Sequence, residues 1–521
     1  MTDQERTQRR AHDADVFTAE LPDFLSRWVA AQRWFPSRDV PPTLSLVGQW
    51  TLASPDLGVR LRTLLVRDGS RPGSGVYQIP VSERVARAPQ LEAALIAVVG
   101  EANGPARFVY DGTHDSLWVG ALLRFIVDRG RYPEQLESSS STISHGLPIH
   151  AGHPASSLAT RAASRPVLSS TVLSGEQSNT SIICDLGGEA GSVPPVICKV
   201  FRAIQHGQNP DVVVQTALAE AGSRYIPEPL GSVAGEWDDP DRPDGRATGH
   251  LAFVQEFIPD AADAWRTALI AADAGDDFSE PARRLGHATA EVHSELAAAM
   301  PTLEATPHVM VTMVTAMLDR FRQAAIEVPA LLNVRPEVER IFARALTVPW
   351  PRLQHIHGDF HLGQVLDAPG RGWILLDFEG EPLRDVSDRD KPDAPLRDVA
   401  GMLRSFDYVA GTVMHAHPHR DPARIVAWAL ACRQSFLEGY ARGTEASGAH
   451  AALSPADPDG DGGNDDEDGN ENTALLDAFE LDKAIYETVY ETRNRPDWLP
   501  LPLAAVQRLT SADKRSHNDH D

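Results

Sequence analysis

The segment His355 to Pro382, HIHGDFHLGQVLDAPGRGWILLDFEGEP, holds the side chains best suited to phosphoryl transfer. That chemistry needs a group to orient or deprotonate the attacking hydroxyl, and oxygens to hold magnesium on the phosphates. Asp359 lies in a loop pattern, H-G-D-x-H, just ahead of Gln364, and thirteen residues past Gln364 the strand-like WILL delivers Asp377. Base, carbonyl ligand and metal carboxylate follow one another in the order of a kinase site, with Asp359 catalytic and Gln364 and Asp377 on the metal. Taken singly, Asp359 reads as a loop cap and Asp377 as a strand-end residue bonding its own backbone. Their joint spacing favours catalysis. His357 reads as a brace for the loop, while His361 either faces substrate or packs.

Upstream, Leu173 to Ser181 reads LSGEQSNTS between two strand-like runs. Ser178, Asn179 and Thr180 are short donors that, with Gly175 nearby, let backbone N–H groups approach phosphate oxygens. Eighteen residues past Ser181, in VICKVF, stands Lys199. A lysine in a strand after such a loop suits the α- and β-phosphates of ATP better than it suits solvent. No Walker A pattern is present, which excludes the P-loop route to a nucleotide. Near the C-terminus Lys483, Tyr486, Glu487, Tyr490 and Glu491 recur at i, i+3, i+4, i+7 and i+8, followed by Asn494, Arg495 and Trp498. One helix face then carries the first five. Tyrosines on such a face are often plain core and glutamates plain surface. A face that mixes lysine, tyrosine and glutamate suits a sugar instead.

The elements that must position these groups fall into regions. Phe17 to Val127 mixes a helix-like LPDFLSRWVAAQRWF with strand-like Val59–Val66 and helix-like Gln90–Val99. Residues 136–170, rich in Ser, Gly and Pro, read as a linker or long surface loop. Residues 171–258 are β-rich, with strands expected at Thr180–Asp185, Val196–Phe201 and His250–Phe257 and a helix near Val212–Ala221. From residue 259 to 521 the pattern is helical, with helices expected at Ala282–Ala299, Val309–Ile326, Pro336–Leu346, Pro395–Val409, Asp421–Tyr440 and Thr473–Tyr490. The fold class is therefore α+β, a small β-rich lobe followed by a large helical lobe in a bilobal kinase pattern. Asp457, Asp459, Asp461, Gly462 and Asp468 nearly fit a calcium loop, but Pro458 stands second and Asp replaces the twelfth-position Glu. Residues 454–472 read instead as a disordered acidic insertion.

The 521 residues are 42 % hydrophobic and 23 % charged, an ordinary globular balance, with a net charge of −25. That excess of acid excludes nucleic acid and anionic membranes as natural partners. No apolar run is long enough to span a bilayer, and Met1 to Arg10 is too polar for a signal peptide. Three cysteines, Cys184, Cys198 and Cys432, suit a reducing cytoplasm.

The motifs HGDFHLGQVL, DFEGEP and PLRDVAGMLRSFDY (Pro395–Tyr408) resemble those of actinobacterial maltokinases, within the aminoglycoside-phosphotransferase-like kinases. The likeness extends to QRWF at Gln32–Phe35, EQSNTS at Glu176–Ser181, VQEFIPDAADAW at Val254–Trp265 and AFELDKAIYETVYETRNRPDWLPLPL at Ala478–Leu503. The resemblance implies a cap subdomain over residues 1–135, use of ATP and Mg²⁺, and phosphorylation of maltose at its anomeric hydroxyl. Maltose 1-phosphate would feed α-glucan (glycogen) synthesis, with enzymes that make maltose or transfer maltosyl units as possible associates. It also implies a hinge at Gln255, Glu256, Phe257 and Ile258 that meets adenine through backbone groups, and an anchoring role for Asp398. His361, Lys483, Tyr486, Glu487, Tyr490 and Trp498 become candidate sugar contacts. One departure is the run of valines in GQNPDVVVQTAL where related chains carry a glutamate to pair with the lysine; Glu220 is the substitute expected for Lys199. A kinase of an amino sugar or aminoglycoside is the competing reading, and a catalytically silent pseudokinase the third.

Overall fold

In the computed structural model the described residues are 17, 21–36, 40–70, 75–100, 106–133, 142–150, 157–163, 165–173, 179–188, 193–381, 391–446 and 465–518. The α+β chain divides into two compact units, Met1–Glu220 with Pro227–Pro259, and Ala221–Ile226 with Asp260–Asp521.

The first unit holds two antiparallel sheets. One runs in the order Leu44–Leu52, Val59–Asp68, Val76–Arg84, Arg107–Asp111, Leu95–Val99. Its central strands bury Leu64, Val66, Ile79 and Val81 against Leu25 and Val29 of the helix Asp23–Ala30 and against Trp34 and Phe35. Each such side chain, fully buried, contributes roughly 1.5–3 kcal/mol. The second sheet has seven strands, in the order Arg131–Tyr132, Ile143–Pro148, Pro229–Asp238, Arg246–Glu256, Val196–Phe201, Asn179–Leu186, Val167–Val172. The sheets are joined by polar contacts. Gln78 Nε2 donates to Phe201 O and Leu251 O at 3.0 and 2.8 Å, and buried Arg202 pairs with Asp111 at 2.9 Å.

Two expectations for this unit need correction. Gln90–Val99 is not a helix: Pro89–Ala94 forms a 3-10 turn and Leu95–Val99 an edge strand. The Ser-rich stretch is not a linker, because Ile143–Pro148 and Val167–Val172 are sheet strands and Leu158–Ala162 is a short helix. The inward positions of the first strand are Ser144 and Gly146. A side chain on Gly146 would meet Phe125 O, on the helix Ser116–Val127, at 2.0 Å. The strand needs small residues where it is buried, so the apolar alternation that betrays most strands is missing.

The second unit is helical, with helices Ala264–Ala274, Ser279–Ala299, Pro307–Glu327, Arg335–Arg344, Leu396–Ala416, Pro422–Ala446, Asp465–Asn494 and Pro500–Asn518. A three-stranded sheet, Ala262–Asp263, Val365–Ala368 and Gly372–Leu375, carries the loops of the site. The helix expected from Thr473 starts eight residues earlier, so 465–472 of the acidic insertion are helical, while 454–464 lie outside the described residues. Among the described residues no helix is long and apolar enough to cross a membrane.

Candidate active site

In the second unit, Asp398 on the first turn of Leu396–Ala416 organises the loop that bears Asp359. Its two carboxylate oxygens accept His357 N at 2.7 Å and Gly358 N at 2.8 Å, and His293 Nε2 lies 3.0 Å from it. His293 is in turn 2.9 Å from Tyr440 O–H, and the burial of Tyr440 pushes its hydroxyl pKa well up, so that it stays protonated. His357 Nε2 donates to Leu376 O at 2.7 Å, and its ring lies between Phe360 and Phe378 with centroids 5.1 and 4.7 Å away. The histidine thus clamps the loop to the strand end that carries Asp377. Gly358 adopts φ 83°, and a side chain there would press on Gly380 Cα at 3.1 Å. Only glycine meets both demands without strain.

Gln364 and Asp377 sit side by side, Gln364 Nε2 donating to Asp377 Oδ2 at 3.3 Å. Asp377 has φ 63°, a left-handed conformation that costs a non-glycine residue energy and marks functional positions. The set of one amide and one carboxylate suits a hard divalent cation such as Mg²⁺. The amide must turn through about 180° to offer oxygen rather than N–H, a low-cost rotation of a terminal torsion.

Asp359 opens onto a cavity of about 670 Å³ in the same unit. Every sugar-contact candidate lines it: His361, Lys483, Tyr486, Glu487, Tyr490 and Trp498. Glu491 and Arg495 of the same run line it too, as do Trp265 and Tyr408, which the spacing did not single out. His361 Nδ1 accepts Gly363 N at 3.0 Å, and burial lowers its pKa. His415 stacks at 5.5 Å on Trp498.

The charges in the cavity wall are paired. Lys483 Nζ donates to Asp359 Oδ1 at 3.2 Å and to Glu381 Oε1 at 2.9 Å. Burial alone would lower the lysine pKa, but the two carboxylates outweigh it and hold it well above the usual range. Glu487 Oε2 accepts two bonds from buried Arg404, at 2.9 and 2.8 Å, and so does not act as a free carboxylate in the cavity. Glu491 accepts Arg495 at 2.6 and 2.9 Å and Tyr408 O–H at 3.0 Å. Behind this wall Arg433 and Arg508 hold Glu480 and pull its pKa down to about 2, against the opposing effect of burial.

The first unit carries the nucleotide candidates. Lys199 lies in register between Ser181 and Phe253, and its Nζ is 3.6 Å from Asp211 Oδ2 on the first turn of Pro210–Ala221. Asp211, not Glu220, is the partner, and Glu220 is exposed. Thr180 is buried, and its hydroxyl accepts Arg202 Nε at 2.8 Å. Asn179 opens the strand Asn179–Leu186, and Ser178 lies outside the described residues. Gln255 and Glu256 end the strand Arg246–Glu256, with Phe257 and Ile258 just beyond. Glu256 N and Phe257 N already donate to Glu228 O and Pro195 O, both at 2.8 Å.

Residues 28–115 match the family described as the maltokinase N-terminal cap domain. The chain is 28 % identical to a glucosamine kinase of Streptacidiphilus jiangxiensis over 311 residues, 56 % of this chain and 64 % of that one. It is 29 % identical to a glucosamine kinase of Mycolicibacterium smegmatis over 357 residues, 64 % of this chain and 78 % of that one. The alignment to the first of these thus spans less than two thirds of that relative's length. A solved structure of a glucosamine kinase in complex with glucosamine, ADP and inorganic phosphate superposes with a TM-score of 0.61 at 21 % identity, covering 93 % of this chain and 98 % of that one. A second crystal form of a glucosamine kinase gives 0.62, also at 21 % identity, over 93 % and 99 %. The fold is that of these glucosamine kinase structures, with the segment that matches the cap family at its N-terminal end.

Against that fold, two of the residues that sequence reasoning passed over, Glu381 and Arg404, act through partners 102 and 83 residues away. Asp211 falls in the first turn of its helix, earlier than the position searched for an acid. Glu381 stood inside the quoted DFEGEP motif, but only the position of Lys483 gives it a role. Arg404 was part of a quoted motif, yet only the folded helices show that it holds Glu487, whereas Arg495 holds Glu491 four residues before it.

Proposed function

We propose that the chain is an ATP-dependent sugar kinase that phosphorylates maltose at the anomeric hydroxyl. The observation that carries this reading is the acceptor cavity: Asp359 at one wall, aromatic side chains around it, and every wall carboxylate bonded to a cation, Asp359 sharing Lys483 with Glu381. A cavity with paired charges favours a neutral polyhydroxy ligand over a cationic one, because an ammonium would have to displace an existing partner. Its volume lies in the range of small-molecule sites, and Trp265, Tyr486, Tyr490 and Trp498 offer ring faces to two hexose units.

In this reading the anomeric oxygen attacks the γ-phosphorus as the bond to the β-phosphate oxygen breaks. Asp359 takes the hydroxyl proton on Oδ2, since Lys483 occupies Oδ1. ADP leaves and maltose 1-phosphate remains. Asp398 and His357 keep the loop from collapsing onto Asp377, and Lys199, steadied by Asp211, meets the α- and β-phosphates. Gln364 and Asp377 would hold Mg²⁺, which when bound neutralises phosphate charge. The first unit would offer adenine the hinge carbonyls and Ile258 N, given that Glu256 N and Phe257 N are taken. The phosphate loop would act through backbone N–H groups. Three buried thiols, that of Cys184 pushed up to about 12 by burial, fit a reducing cytoplasm.

Phosphorylation of glucosamine is the second reading. It is favoured by the names of the related proteins and by Glu491, whose partner Arg495 has a side chain 48 % exposed and so the most readily displaced. The deciding assay presents ATP with maltose, glucosamine, glucose, trehalose and an aminoglycoside, and identifies each product by NMR. Phosphorus on the anomeric carbon of maltose is the expected result. Turnover of glucosamine without maltose would transfer the function to the second reading, and turnover of none would remove both.

A further inference from the structure

The second unit holds another cavity, of about 430 Å³, which shares no lining residue with the acceptor cavity. Arg224, Arg283, Arg284, His287, Arg371 and Arg442 line it, drawn from four separate segments of the chain. Arg224 belongs to the segment Ala221–Ile226. Arg283, Arg284 and His287 project from the helix Ser279–Ala299, Arg442 from Pro422–Ala446, and Arg371 from the turn before Gly372–Leu375. Five guanidiniums around one hollow stand out in a chain whose net charge is −25.

The local acids do not cancel them. Arg283 pairs with Glu280 at 2.6 Å and with Glu438 at 3.1 Å. Glu291 is shared by Arg224 at 3.4 Å and His287 at 3.2 Å. Arg371 donates to Ile226 O at 3.1 Å. Among the described residues Arg284 and Arg442 make no ion pair. Arg284 and Arg442 are thus the two cations of the hollow that no described carboxylate meets, while Glu295 joins Glu291 beside Arg224.

We propose that this cavity is a binding site for a small phosphoryl anion of two or more negative charges, free or carried on a small molecule. Guanidinium forks match phosphate oxygens in geometry as well as charge, and Arg284 and Arg442 are the two forks not already held by a carboxylate. The hollow is the size of a metabolite site rather than of a protein interface. The chain as a whole repels anions, so the attraction is local and weakens as salt rises. The site is unlike that of the phosphoryl-transfer residues: its turn residue Arg371 lies at the opposite end of the hairpin from Gln364 and Asp377.

The test is isothermal titration of the full chain with pyrophosphate at low ionic strength. One pyrophosphate per chain is expected at this site, and its affinity falls about tenfold or more in the double variant Arg284→Ala/Arg442→Ala. The melting temperature of that variant without anion stays at the wild-type value, since neither side chain is paired. Binding persists in Lys199→Met, which separates this site from the proposed nucleotide site. Inorganic phosphate and glucose 1-phosphate form the other arms: equal affinities identify a bare phosphoryl group as the ligand, and tighter glucose 1-phosphate a phosphorylated sugar. Unchanged pyrophosphate affinity in the double variant, loss of binding in Lys199→Met, or no binding at low salt would each overturn the proposal. So would displacement of pyrophosphate by polyglutamate at lower concentration, which would make the hollow a dock for acidic protein.

Discussion

Lys483→Met removes the one cation that Asp359 and Glu381 share. The lysine nitrogen sits 3.2 Å from the first and 2.9 Å from the second, so the variant leaves two carboxylates facing a common void. Breaking a fully buried pair in this way costs about 3–5 kcal/mol. Here the Lys483 and Asp359 side chains are 19 % and 23 % exposed, so cavity water can partly replace the ammonium. The lower end, about 3 kcal/mol, is the appropriate figure, equivalent to roughly a hundredfold. If the lysine acts by placing Asp359, that factor falls on kcat, with the KM for ATP changing about threefold or less. The raised pKa of Lys483 means that its contribution is complete below the unfolded value, about 10.4, and is lost only as pH climbs through the folded one. The penalty is therefore flat between about pH 6 and 9. Lys483→Arg retains the charge and recovers about tenfold of the loss. The sharpest assay is a double-mutant cycle on kcat with Asp359→Asn. The double variant should be no slower than Asp359→Asn by more than about threefold, because the lysine has nothing left to position. Losses that multiply would refute the reasoning and return Lys483 to an independent role, such as direct contact with the sugar.

Asp377→Ala should abolish the magnesium dependence of ATP binding while adenosine still binds; calorimetry that finds unchanged Mg-ATP affinity makes Asp377 structural. Asp477 has its pKa raised to about 6 by burial, with repulsion from Glu480 adding to it. Its unfolded value is about 3.9, so the folded state is penalised once pH rises above that, and by about 1–3 kcal/mol beyond pH 6. Asp477→Asn should then raise the melting temperature at about pH 8 and leave it unchanged at about pH 4; equal shifts at both would show that ionisation is not the cause. Replacing residues 454–464 with a Gly-Ser linker should leave turnover and melting temperature near wild type, because that acidic run has too little apolar surface to offset its ordering. A large loss of turnover would show that the segment serves the site.

The fold was legible where burial is written in apolar residues. VICKVF alternates its burial along a central strand, and the helices between Ser279 and Asn494 appear where they were expected, whereas the helix Pro500–Asn518 was not expected. It was illegible where close packing asks for small residues. Ser144 and Gly146 are buried without being apolar, so a strand at the heart of a sheet looked like a loop. Ala264–Ala274 was missed for a related reason: its buried positions are the alanines 264, 268 and 272, which contribute little to an apolar stripe. The acidic run Asp465–Asn472 failed in the opposite direction, since its composition speaks for solvent while its backbone continues the helix that follows.

The site divides along the same line between local and distant chemistry. The spacing of Asp359, Gln364 and Asp377 is a property of one loop and hairpin, and a sequence displays it directly. The periodicity of Lys483, Tyr486, Glu487 and Tyr490 is likewise local, and the structure turns all four toward one cavity. What these side chains do there depends on neighbours about eighty to a hundred and twenty residues away, as the Glu487–Arg404 and Lys483–Asp359 separations show. Read along the helix, Glu487 and Glu491 look like two free carboxylates awaiting a cationic ligand. Set against Arg404, Tyr408 and Arg495, they become a neutralised wall, and the ligand such a wall favours changes from an amine to a neutral sugar. The distinction between the two acceptor readings therefore rests on pairing across helices. The exposed Arg495, which holds Glu491 locally from four residues further on, is the partner most easily lost, and the residue whose replacement would most directly move the preference toward an amino sugar.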